Sequence, residues 1–291
     1  MTKDYVILTD ATSDIPQPLV EKYNLDYIPM EVNFGEETFK QYLDERDLKL
    51  SDFYARLDNK ELATTTLINM QTFIDKFTPY LEKGIDVIFI GLSSALSASY
   101  SQALIAKEEL SAAFPLRKIV IIDSKGASVA EGALVVEALE KQKAGASFDE
   151  VVKHVKSLIQ HVIAFFVPIN LETLRRGGRI GAVKAVIGDA IGIKPILQLD
   201  SEGKIVELSK ARGFKRALTM LVDLTKDRVT KPYKEKFYIV HASNSAAATV
   251  VADLFKAEHG GGQAIIGPLG PVISAHTGTG AVCLVFFGSH R

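Results

Sequence analysis

Cysteine is nearly missing from this chain. Cys283 is the only one, so no disulfide can close within the chain and no cysteine-based metal site can form. It lies in the apolar run Ala281-Val282-Cys283-Leu284-Val285-Phe286-Phe287, where it reads as a small buried hydrophobe of a strand. Net charge is nearly missing too. At −1, with both signs interspersed, it argues against non-specific nucleic-acid binding, which needs a basic surface. No apolar stretch reaches the roughly 18 to 20 residues of a membrane span. The polar start Met1-Thr2-Lys3-Asp4 has no signal-peptide core, and a cytoplasmic location is expected. No strand-to-helix turn carries G-x-G-x-x-G, and G-x-x-x-x-G-K-[ST] does not occur, so nucleotide binding has no local support. No pair of histidines has metal-ligand spacing with acidic neighbours, so no metal is expected. Fixed-period repeats and low-complexity tracts are likewise lacking.

What is present is core-forming material: 47% of the 291 residues are hydrophobic. Short apolar runs alternate with amphipathic stretches. Tyr5-Val6-Ile7-Leu8, Asp86-Val87-Ile88-Phe89-Ile90 and Lys118-Ile119-Val120-Ile121-Ile122 read as strands, each followed by a helix pattern. Strands apolar on both faces and alternating with helices indicate a parallel sheet covered on both sides. In the second half, Ala164-Phe165-Phe166-Val167, 195–199, 203–208, 236–240 and 281–287 read as strands. Asp200-Ser201-Glu202-Gly203 reads as a hairpin turn, which makes this second sheet mixed. The expected fold is therefore α/β with two domains, 1–160 around a parallel sheet and 161–291 around a mixed one.

In open α/β sheets, ligands sit outside the carboxyl ends of the strands. Hydroxyls gather there: Thr9, Thr12 and Ser13 after the first strand, Ser93 and Ser94 after the second, Ser124 after the third. Thr12, Ser13 and Ser124 are sufficiently explained as helix caps. Thr64-Thr65-Thr66 reads as a polar loop before a helix from about Met70 to Glu82. The segment Leu171 to Gly181 reads as a short helix ending at Gly177-Gly178. Arg175 and Arg176 suit its C-terminal turn, whereas Arg179 fits equally a ligand contact or a surface ion pair. The segment Gly267 to Gly280 sets one histidine, His276, among small residues and glycines, followed by Thr277, in a pattern suited to binding an anion.

Taken together, these segments resemble the DegV family along nearly the whole chain. The resemblance rests on Asp10-Ala11-Thr12-Ser13-Asp14, the Thr64-Thr65-Thr66 loop and the stretch Ser93 to Ala103. It continues through Gly177-Gly178-Arg179-Ile180, Lys194-Pro195-Ile196 and Gly270 to Gly280. It implies a two-domain protein that buries a long-chain fatty acid and needs no cofactor. It also implies the fatty-acid-binding, non-catalytic subunit of a fatty acid kinase, whose ATP-binding partner phosphorylates the bound carboxylate. Carried over by position, the carboxylate ligands are Thr64 or Thr65, Ser93 and His276, with Thr277 close by. Arg179 then serves the carboxylate or the phosphoryl transfer. Where the family often has Thr-Ser-Gln-Pro-Ser and Leu-Ser-Gly-Thr-Tyr, this chain has Thr64-Thr65-Thr66-Leu67-Ile68 and Leu96-Ser97-Ala98-Ser99-Tyr100, which leaves the identity of the threonine ligand open.

The physics of such a ligand is simple. Each buried methylene contributes roughly 0.8 kcal/mol, so about fifteen give on the order of 12 kcal/mol before the costs of docking. The tail supplies affinity, and hydrogen bonds to the head supply orientation. Two rival readings remain. One is a serine hydrolase, since Gly91-Leu92-Ser93-Ser94-Ala95 approaches G-x-S-x-G and Ser93, Asp189 and His276 fall in triad order. The other is a regulatory lipid sensor.

Overall fold

The computed structural model describes residues 4–180, 183 and 192–291. Its first half runs β1 (Tyr5–Asp10), α1 (Gln17–Tyr23), β2 (Asp26–Ile28), β3 (Met30–Phe34), β4 (Glu37–Gln41), α2 (Leu50–Asp58), β5 (Ala63–Thr66), α3 (Met70–Glu82), β6 (Asp86–Gly91), α4 (Ser99–Ala113), β7 (Ile119–Asp123), α5 (Val129–Lys143) and α6 (Phe148–Leu158). The second half runs β8 (Val162–Val167), α7 (Glu172–Arg176), β9 (Ile193–Leu199), β10 (Ile205–Arg212), α8 (Phe214–Asp223), β11 (Lys236–His241), α9 (Ser245–His259), β12 (Gln263–Pro268), α10 (Pro271–Thr277) and β13 (Val282–Phe287).

The fold is α/β, with one parallel sheet and a separate mixed one. The parallel sheet has the order β2-β1-β6-β7. Its central strand β6 is buried from Val87 through Gly91, because helices cover both faces. The mixed sheet has the order β10-β9-β8-β13-β11-β12. Only β11 and β12 pair in parallel; the other neighbours are antiparallel. The turn at Asp200 to Gly203 does join antiparallel β9 and β10.

Helix α5 explains how the two sheets share one core. Val129 to Val136 are all buried, so the first two turns of the helix are enclosed on every side. It packs on β1 and β6 on one side and on β8, β11 and β13 on the other. One apolar cluster accordingly joins Tyr5, Ile88 and Leu134 with Ala164, Phe166, Leu199 and Tyr238.

A third sheet, antiparallel β4-β3-β5, departs from the sequence expectation. The threonine segment expected as a loop is a strand, β5. Its four residues carry no apolar run, and pairing with β3 is what makes them a strand.

Candidate functional site

Helix α10 carries the central residue. It starts with Pro271 in its first turn and ends at Gly278, whose φ of 76° suits glycine. His276 therefore stands in the last turn of a short helix rather than in a loop. The start of α10 is fixed by buried Gln41: its Oε1 accepts the Val272 N–H at 2.8 Å. Its Nε2 donates to Ala11 O at 2.6 Å and to Asp14 Oδ1 at 3.0 Å. Gly270 is needed there, since a Cβ would lie 2.3 Å from Asp14 Oδ1.

Between α10, the loops that follow β6 and β7, and the inner face of the mixed sheet lies a cavity. The space open to the centre of a water-sized sphere is about 230 Å³. Apolar side chains, among them Met30, Leu92, Phe166, Leu174, Leu199 and Ile273, form most of its wall. Its polar lining includes Thr65, Ser97, Arg179, His276 and Thr277. Thr65 Oγ1 and His276 Nε2 lie 2.9 Å apart. His276 Nδ1 is buried without a hydrogen-bond partner among the described residues and faces Gly177. Burial, aided by the nearby Arg179 charge, lowers the His276 pKa to about 4, so the imidazole is neutral near pH 7.

The strand period turns one of the three threonines toward the cavity. Cross-strand partners share a face, and Thr65 stands opposite buried Val32. Thr64 and Thr66 lie on the exposed outer face, where Thr66 Oγ1 accepts from Asn33 Nδ2 at 3.0 Å. Ser93 is fully buried and does not line the cavity. Its Oγ donates to Gly203 O at 3.0 Å and accepts from the Ala95 N–H at 3.2 Å. Ser97, which the sequence reading passed over, lines the wall instead. Its signal was its place in the serine-rich loop, but only the path of that loop distinguishes it from Ser93. Arg179 bridges the rim, donating from Nε to Leu96 O at 3.1 Å and from Nη1 to Gly177 O at 2.6 Å. Thr277 lines the cavity and donates to Ile273 O at 3.3 Å within its own helix.

Hydrolase geometry does not form around Ser93. A nucleophile elbow exposes its hydroxyl, whereas the Ser93 hydroxyl is buried and bonded to a backbone carbonyl. His276 pairs with Thr65 instead. Asp189, the third member of that proposed triad, lies outside the described residues. Among the described residues, no cluster of three or more His, Cys, Asp or Glu side chains could hold a metal ion. No helix among them is long and apolar enough to cross a membrane.

Behind the wall sit three buried carboxyls, Asp10, Asp14 and Glu131. Thr9 and Thr12 donate to Glu131 at 2.8 and 3.1 Å. Ser128, itself in the cavity wall, donates to Asp14 at 2.6 Å. Burial raises all three pKa values, that of Asp14 to about 7. A raised carboxyl stabilises the fold fully below its unfolded value and loses that contribution as pH rises through the folded one. His276 acts oppositely, since its lowered pKa removes stability only as pH falls from its unfolded value toward about 4. Above about pH 6.5, then, the carboxyls dominate. The melting temperature should fall between about pH 6.5 and 8 by at least roughly 2 °C. Asp14→Asn should flatten that fall; an unchanged slope in a calorimetric pH series would assign the titration to another group.

A parallel sheet and a mixed sheet that share one core and close on a mostly apolar cavity define an α/β protein built around a ligand-sized chamber. The sequence model described as "Uncharacterised protein, DegV family" matches residues 4–289. A DegV domain-containing protein of Clostridium perfringens is 31% identical over 291 residues, 99% of each chain. A solved DegV from Bacillus subtilis, described as a fatty acid binding protein, is 28% identical with a TM-score of 0.82, over 99% of this chain and 100% of that one. A protein of Thermotoga maritima, whose structure is described as revealing fatty acid binding function, is 26% identical with a TM-score of 0.84, again over 99% and 100%. The chain belongs to the DegV family.

Proposed function

We propose that this chain binds a long-chain fatty acid and presents its carboxylate to an ATP-binding kinase subunit for acyl-phosphate formation. The observation that carries the reading is the Thr65–His276 pair in the wall of a mostly apolar cavity. A buried carboxylate needs converging donors, or it protonates or leaves. With the single N–H of the neutral imidazole on Nε2 and donated to Thr65 Oγ1, the Thr65 hydroxyl proton is free for the carboxylate; Ser97 and Thr277 stand nearby in the same wall, and Arg179 lies at the rim. The head group thus falls to Thr65 rather than Thr64, and to the Ser97 part of the serine loop rather than to Ser93. The solved relatives from Bacillus subtilis and Thermotoga maritima, described as fatty-acid-binding, support the ligand class.

The partner and the division of labour rest on the family resemblance. This chain would bring the acceptor carboxylate and the partner would bring nucleotide and magnesium, both acting in the cytoplasm. On this reading the chain is a binding subunit without a catalytic site of its own. Residues 1–160 carry the parallel sheet and 161–291 the mixed one, although α10 reaches back across that division to pack on β3 and β5.

Organic extraction of the purified protein followed by mass spectrometry should recover about one fatty acid per chain. A ligand-free protein that also refuses added long-chain acids would sink the reading. A chain that binds the acid yet yields no acyl phosphate with the kinase partner would instead be a lipid sensor.

Gly177 offers a sharper check on the head group. Its φ of −71° suits alanine, but an alanine Cβ would lie 2.3 Å from His276 Nδ1. Gly177→Ala should therefore push the imidazole off Thr65 and weaken acid binding about tenfold, read by titration calorimetry, with little change in melting temperature. Unchanged affinity would show that the imidazole position is immaterial.

A further inference from the structure

We propose that the turn between β9 and β10 is the wall at the tail end of the cavity, and that Leu199 and Ile205 beside it set the acyl length accepted. This inference rests on the fatty-acid reading above.

The sheet register orients the cavity. The head-group end lies where β8 runs into α7 and where β13 begins just after α10, with Val167 opposite Val282. Going back along β8, Phe166 and then Ala164 face the cavity; Ala164 is three residues before Val167, about 10 Å away. Phe165 pairs with Gln198, which brings Leu199 to the level of Ala164. Leu199 in turn pairs with Ile205 across the hairpin, and both line the cavity. These two side chains thus mark the end remote from His276.

The turn that carries them is pinned into the crevice at the carboxyl ends of β6 and β7. Asp200 Oδ1 folds the turn by accepting the Glu202 and Lys204 N–H groups, each at 2.9 Å. Ser93 donates to Gly203 O at 3.0 Å, and Gln160 Nε2 donates to Ser201 O at 3.0 Å. The Arg291 guanidinium ties the same turn to the loop after β7, donating to Asp200 O at 3.4 Å, to Ser124 O at 3.3 Å, and to Lys125 O. Contact at the tip is close: with φ +76°, a Cβ on Gly203 would lie 2.2 Å from Ser93 Oγ. The chain's own hairpin thus occupies the space outside the carboxyl ends of β6 and β7. Ser93 thereby acts as a positioning residue, holding the wall against which the tail ends.

Opposite changes at one position test this without relying on stability. Saturated acids from about twelve to about twenty carbons are titrated into wild type, Leu199→Ala and Leu199→Phe. Leu199→Ala should favour an acid about two carbons longer, raising its affinity relative to the wild-type optimum roughly tenfold. Leu199→Phe should shift the preference the same distance toward shorter acids. Ser93→Ala should leave the wall loose, flattening the length profile and speeding release several-fold in a stopped-flow exchange assay. Uniform loss at every length in both Leu199 variants, or a wild-type profile in both, would overturn the assignment. Wild type that binds no acid of any length would overturn the fatty-acid reading itself, and that arm is read without any variant.

Discussion

Thr65→Val should weaken fatty-acid binding roughly tenfold to a hundredfold, and Thr64→Val should leave it unchanged. A buried hydrogen bond to a charged group contributes about 1.5 to 3 kcal/mol, and valine keeps the shape of threonine while removing the hydroxyl. The two threonines are neighbours in sequence but point to opposite faces of β5, one toward Val32 and the cavity, the other toward the exposed face. His276→Ala should cost a similar amount. The double variant should lose less than the sum of the two, because the 2.9 Å contact couples them. Titration calorimetry with one long-chain acid decides the matter. Equal losses from Thr64→Val and Thr65→Val would mean that the head group does not meet the inner face of β5.

Acyl phosphate should form only when a cognate ATP-binding subunit is added, and Arg179→Ala should reduce that formation on the order of a hundredfold. Fatty-acid affinity in the same variant should change only several-fold, because Thr65 and His276 remain. The reason is placement. Arg179 is exposed at the rim, spanning the backbone of Leu96 and Gly177, where its charge can meet an incoming phosphoryl group. Phosphoryl transfer depends on positive charge positioned around the transferred group. Comparing binding by titration with turnover in the presence of the partner separates the two roles. Equal losses in both assays would make Arg179 a carboxylate ligand, and acyl-phosphate synthesis by the isolated chain would overturn the division of labour.

The legible parts of the fold were those whose signal is local. Apolar runs such as Val87 to Ile90 and Ala281 to Phe287 have one stable destination, a buried strand. Asp200 to Gly203 carries its own turn chemistry, and Asp200 accepts the N–H groups that fold it. The third sheet was not legible. Polar Glu37–Gln41 and threonine-rich Ala63–Thr66 become strands only because β3 stands between them and buries Met30, Val32 and Phe34. Helix α10 hid for a similar reason. Its seven residues sit among glycines and prolines, and its start is fixed by Gln41 from a distant strand.

The sequence by itself determined the two main sheets, membership of the DegV family, and the two segments from which His276 and Arg179 project. It could not determine which hydroxyls face the cavity. Thr65 is chosen over Thr64 by pairing with β3, and Ser93 is withdrawn to Gly203, 110 residues away. Such choices are made by contacts between distant segments. A hydroxyl turns toward the cavity or away from it according to which strand or hairpin the folded chain lays beside it.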